Sequence, residues 1–96
     1  MPIPTGTFTD RSGTIAASNV SQPLAPWNGS RQYFVFQNTS TQPLYLNYTS
    51  PASTTSAGSF AIQPGQFFTS DTQAISQEAI NIAGGTVGQT WAAKEI

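Results

Sequence analysis

The sequence predicts an all-β protein: a small antiparallel β-sandwich or jelly-roll-like barrel of about six to eight short strands. Three observations lead there. Helical windows are interrupted throughout, because 7 Pro and 8 Gly are scattered along 96 residues rich in Ser and Thr. Apolar residues recur instead at every second position in short runs, the period of a strand with one buried face. Turn-forming residues separate those runs at intervals of about 8 to 12 residues, too close for strand–helix–strand units. The best helical rival is 70–83, where Ser70 or Asp71 would cap a helix. Asn81 and the Gly84-Gly85 pair limit it to about three turns, and the strand reading is preferred.

Taken in order, residues 1–11 show no clear pattern and read as an N-terminal arm or extended segment, with 12–96 as a single sandwich domain. Residues 12–17 (SGTIAA) form a first strand. Residues 31–38 (RQYFVFQN), aromatic and β-branched, form a buried central strand ended by the turn-rich 38–43. The next run places Leu44, Leu46 and Tyr48 on one face and reads as the return strand of a hairpin. Residues 49–58 offer no large side chain to pack and read as a long mobile loop. Phe60 and Ile62 then share a face, Pro64-Gly65 turns, and Phe67-Phe68 returns as a second hairpin. Ile80 and Ile82 point inward, and Gly84-Gly85 leads into 88–94 as a third.

Composition excludes much chemistry. The chain has no His and no Cys, so zinc fingers, iron–sulfur clusters, thiol catalysis, Ser-His-Asp relays and histidine shuttles are all ruled out. No metal or other cofactor is expected. Arg11, Arg31 and Lys94 are the only cationic side chains and the net charge is −1, which argues against nucleic acid and against anionic membrane surfaces. No apolar run is longer than 33–36, too short to span a bilayer, and the first residues lack a secretory pattern. Synthesis in a cytoplasm, with no need of disulfides, is the expectation. Only 7% of residues are charged, against about 25% in an average domain, so copies repel one another weakly and self-association is expected.

Asp10, Asp71, Glu78 and Glu95 are the one remaining general acid–base set. They fall in the arm, in a turn and at strand margins, and read as solvated charge. The protein is therefore expected not to be an enzyme. Trp27, Tyr45, Tyr48 and Trp91 would suit a sugar-stacking platform, but in so small a domain most rings are needed for packing or oligomer contact. Trp27, inside the loop 25–29, is the ring expected to be most exposed. The Asn-X-Ser/Thr patterns at Asn19, Asn28, Asn38 and Asn47 read as turn residues. Arg31 opens the most hydrophobic strand, where three readings stay open: a pair with a carboxylate such as Glu95, reach to a neighbouring subunit, or a plain exposed charge.

The order of these pieces carries a resemblance. The succession GTIA at 13–16, SRQYFVFQN at 30–38, LYLN at 44–47, GSFAIQPG at 58–65, EAINIAG at 78–84 and GQTWAAKE at 88–95 resembles a group of small tailed-phage and prophage virion proteins. It covers about residues 12 to 96 and departs in the N-terminal segment and the 49–58 loop. The resemblance implies a non-enzymatic β-sandwich of the virion, foremost a capsid decoration or cement protein that binds and stabilises the outside of the head as a trimer. Its partner would be the major capsid protein or another virion protein, after synthesis in the bacterial host cytoplasm. The alternative is a peripheral head-fibre or tail module that recognises carbohydrate or a host surface. The residues expected to make oligomer or capsid contact are Ile3, Pro4 and Phe8 of the arm, with Trp27 and Arg31.

Overall fold

A computed structural model describes residues 6–55, 58–70 and 77–96. These residues form two antiparallel sheets and no helix. In the first sheet β1 (Thr9–Asp10) and β2 (Gly13–Thr14) lie along β9 (Thr90–Glu95), followed by β4 (Phe34–Asn38) and β7 (Phe67–Ser70). The second sheet runs β3 (Gln22–Ala25), β8 (Ile80–Gly84), β5 (Leu44–Tyr48) and β6 (Phe60–Ile62). With β1 and β2 counted as one interrupted strand, two four-stranded sheets result, and this order is that of a jelly roll. The sandwich expected from the alternation is therefore present.

The alternation works as elementary packing requires. Phe34 and Phe36 of β4, Leu44 and Leu46 of β5, Ile80 and Ile82 of β8 and Trp91 and Ala93 of β9 point between the sheets and are buried. Ile15, Leu24 and Ile62 complete that layer. Burying each large apolar side chain contributes roughly 1.5–3 kcal/mol. Trp91 is fixed further by its indole N–H, which donates to the Arg11 carbonyl at 2.7 Å. Gly13 lies under that ring, where a Cβ would come within 3.0 Å of it.

Three connections differ from expectation. None of the predicted hairpins is a hairpin: β4 pairs with β7 and β9, β5 with β6 and β8, and the turns at 39–43, 63–66 and 85–89 each carry the chain from one sheet to the other. A corner of four or five residues spans the roughly 10 Å between packed sheets as readily as it reverses within one, and the period of two is the same in both cases. The strands that do pair consecutively are β5 and β6, with Leu44 opposite Ile62 and Leu46 opposite Phe60, across the long intervening loop.

That loop is anchored, contrary to its bland composition. Asn81 Nδ2 donates to the Ser50 carbonyl (2.9 Å), Asn47 Nδ2 to the Pro51 carbonyl (3.2 Å), and the Ala52 N–H to Ser21 Oγ (2.9 Å). Thr54 Oγ1 donates to Asn19 Oδ1 at 3.0 Å. Residues 50–54 thus lie across the outer face of the second sheet, and Ala52 and the outward-facing Ala83 are buried. Small side chains and backbone groups do here what a large apolar anchor does elsewhere. Residues 56 and 57 of the loop, Ile3 and Pro4 of the arm, and residues 71–76 of the rival helical stretch, Asp71 among them, lie outside the described residues, while 80–83 of that stretch are strand.

Within the segment expected as an arm or extended chain, Thr9 and Asp10 are strand. Thr9 and Asp10 pair with Glu95 and Lys94, and the Arg11 N–H donates to the Ala93 carbonyl at 2.7 Å, so residues 9–11 belong to the first sheet. Their own side chains give no strand signal because β1 is an edge whose exposed residues are not selected by burial.

Candidate functional site

At one end of the sandwich, where β4 begins and β9 finishes, a charged cluster is enclosed. Glu95 is 1% exposed and sits between two arginines: Arg31 Nε donates to Oε1 and Arg11 Nε to Oε2, each at 2.6 Å. Burial alone would raise the Glu95 pKa, but the hydrogen bonds from Arg31 and then Arg11 outweigh it and hold the carboxyl below the ordinary glutamate value. Arg31, itself buried, spends its guanidinium further: Nη1 donates to the Glu78 carbonyl (2.8 Å) and Nη2 to the Pro26 carbonyl (2.9 Å). Four segments therefore meet on two side chains. Of the three readings of Arg31, the pair with Glu95 is the one observed; its buried side chain is not available as an oligomer or capsid contact. Glu95 is likewise not the solvated charge expected from its position at a strand margin.

The same cluster presents two aromatic rings. Arg31 holds the loop between β3 and β4 through Pro26, and its own N–H donates to the Asn28 carbonyl at 3.1 Å. Asn28 Oδ1 accepts from the Ser30 N–H (2.9 Å), closing an Asx turn. Trp27 stands on this turn 68% exposed, with its ring over Gly29, where a Cβ would lie 2.6 Å from the indole. On the other flank Phe8 follows from the pairing of Thr9 with Glu95; it is 47% exposed and meets Tyr33 edge to face at 6.1 Å. Gly6, Phe8, Tyr33 and Ile96 line an open hollow of about 380 Å3.

The chain matches no family model, no curated protein and no solved structure. The site must therefore be read from its geometry. The four-ring sugar platform does not assemble: Trp91 is in the core, Tyr48 packs against it, Tyr45 is half-buried on the outer face of the second sheet, and Trp27 is the exposed member. Among the carboxylates, Glu95 is neutralised by arginines, Glu78 accepts from the Thr49 hydroxyl, and Asp10 is exposed and held below its ordinary pKa by the Ser12 hydroxyl and N–H. No cluster of three metal-ligating side chains occurs among the described residues.

Two features escaped the sequence reading. At the opposite end, Asn38 is fully buried; its Nδ2 donates to the carbonyls of Gln42 and Ile62, both at 2.8 Å, and its Oδ1 accepts from Ser40 N–H and Oγ. Gln89 is nearly as deep, donating to the Pro43 and Gln42 carbonyls and Ser40 Oγ and accepting from the Thr86 N–H. The second feature is Phe60 and Phe67, half or more exposed although both belong to strands with an apolar pattern. The available signal for Asn38 was its place at the end of the most hydrophobic strand, where an uncompensated amide would be costly.

Proposed function

We propose that this protein acts by surface contact rather than by catalysis, as a bacteriophage virion structural protein. The most specific form of that reading is a decoration or cement protein that binds the outside of the head and stabilises it, as a trimer, with the major capsid protein or another virion protein as partner. The particle would be its location after synthesis in the bacterial host cytoplasm. The observation that carries the reading is the end that holds Trp27 and Phe8. Two exposed aromatic rings stand on loops locked by a buried ion cluster, while the polar groups beneath them are consumed in holding those loops. Rigid aromatic anchors over a satisfied polar base are the usual makeup of a contact hot spot. The ordered motifs, the jelly-roll strand order and the low charge agree with crowding on a shell, an argument from fold analogy.

Co-sedimentation with heads that lack the protein tests it. Wild type is expected to pellet with the particles, and the Phe8→Ala/Trp27→Ala double variant to bind at least tenfold more weakly while keeping its melting temperature. Absence from purified particles together with no binding would overturn the reading.

The 68% exposure of Trp27 favours one second reading, a peripheral module for carbohydrate or host-surface recognition. Saturable quenching or shift of Trp27 fluorescence by sugars, abolished in Trp27→Ala, is its expected signature; a blank glycan array would remove it.

A further inference from the structure

The four lateral edges of the sandwich are not equally defended. β1 and β2 are an edge broken into two short pieces that carries Asp10 and leads into Arg11, and β3 carries Pro23 and a register shift between Pro23 and Ala25. Interruptions, charge, proline and irregular register are the ordinary means by which an edge strand avoids pairing with another chain. On the other side, β6 and β7 have none of them. Among the described residues β6 pairs with β5 alone and β7 with β4 alone.

Charge follows the same division. From Gln32 to Ser70 no residue is charged, and that tract supplies β4, β5, β6 and β7, the whole half of the sandwich that ends in these two edges. Lys94, on β9, reaches this half at the rim of a hollow of about 130 Å3 that it shares with Val35, Gln37, Ala92 and Phe67. Phe67 is 61% exposed there on the outer face. Phe60 closes the seam between the sheets, stacked on Phe68 with centroids 6.0 Å apart, and is still 51% exposed.

We propose that the β6–β7 side is a self-contact surface whose occupant is the same side of other copies of this chain. In a closed homo-oligomer the same region of each copy gathers about the symmetry axis, so any charge there faces its own kind. The strands that build this side, β4 to β7, bring no charge of their own to such a contact. Molecular extents of 38 × 23 × 18 Å bound a lateral side at about 38 by 18 Å, about 700 Å2, of the order of the roughly 800 Å2 per partner of a stable interface. Phe60 and Phe67 are the anchors, and the outer edges of β6 and β7, which among the described residues border no further strand, lie beside them. The contact does not depend on the particle reading; a monomeric protein that still binds heads would refute the former and leave the latter standing.

Light scattering behind size exclusion, at about 10 and 300 µM, tests it on the full chain. Wild type is expected at a multiple of 10.2 kDa at the higher concentration. Thr69→Lys, an exposed position on β7, and Phe67→Ser are expected to weaken association at least tenfold, with circular dichroism and melting unchanged. Thr14→Lys, on the defended edge, is expected to behave as wild type. A monomeric wild type across the range overturns the proposal, as does an assembly that survives both β7 substitutions or one that Thr14→Lys dissolves equally.

Discussion

At the end of the sandwich where Arg31, Glu95 and Arg11 meet, the loops are held by charge; at the opposite end Asn38 and Gln89 hold theirs with neutral amides. Both clusters tie together segments remote in sequence. The charged end joins the β3–β4 loop, the stretch before β8, the last residues of β9 and the residue after β1. The amide end joins the three corners at 39–43, 63–66 and 85–89: Asn38 N–H donates to the Gln66 carbonyl, the Asn38 carbonyl accepts from Gly65 N–H, and Gln89 ties its own corner, through the Thr86 N–H, to the Pro43 carbonyl. Desolvating an ion cluster is expensive and is offset only while every member stays paired, whereas a buried amide needs only its own few hydrogen bonds. The two ends should therefore answer differently to mutation and to acid.

The largest effect is expected from Glu95→Ala, which strands two arginines, one of them fully enclosed. A loss of about 3–5 kcal/mol in denaturant-determined stability is the expected outcome. Asn38→Ala should cost less, about 2–3 kcal/mol, since it leaves the Gln42 and Ile62 carbonyls and the Ser40 N–H without their buried partner but no net charge. Near it, Gly84→Ala places a Cβ 2.4 Å from Gln89 Oε1 and 2.9 Å from Leu44 Cδ2, for an expected loss of about 1–3 kcal/mol.

Acid should separate the ends cleanly. The folded-state pKa of Glu95 is depressed, so its contribution is complete above the ordinary glutamate value and is lost as the pH falls below about 4 through the depressed value. Stability is expected to decline there by at most about 1.4 kcal/mol per pH unit from this group. Glu95→Gln should flatten that slope and Asn38→Ala should keep it, as measured by urea midpoints from pH 7 to pH 3. The smallest effect is expected from Trp27→Ala: the ring rests on Gly29 and solvent, and thermal unfolding should shift by no more than about 0.5 kcal/mol.

Much of the fold was legible in the residues themselves. Alternation located β4, β5, β8 and β9 and named the inward Leu44, Leu46, Ile80 and Ile82, and turn chemistry placed the three corners near their observed positions. The link between Arg31 and Glu95 was also foreseeable as one of three readings, because a charge opening a hydrophobic strand needs either water or a partner. The burial of Glu95 was not, since its local sequence looks the same on a solvated strand margin. Residues 50–54 misled for a related reason. Hydrophobicity reports side chains, and that loop is held by backbone carbonyls and N–H groups presented to Asn47, Asn81 and Ser21.

By itself, then, the order of residues determined that this chain forms strands, which face of the central ones β5 and β8 is buried, and that no histidine or cysteine chemistry operates in it. Those are properties of the period of two and of composition, both of which act within a few residues. Tertiary structure alone decided that the three short turns cross between sheets, that Asn38 and Gln89 become the pins of those crossings, and that the uncharged tract gathers on one side. The reason is range: a turn of four or five residues closes equally well onto its own sheet or the opposite one, and the choice is made by which distant strands take the remaining edges.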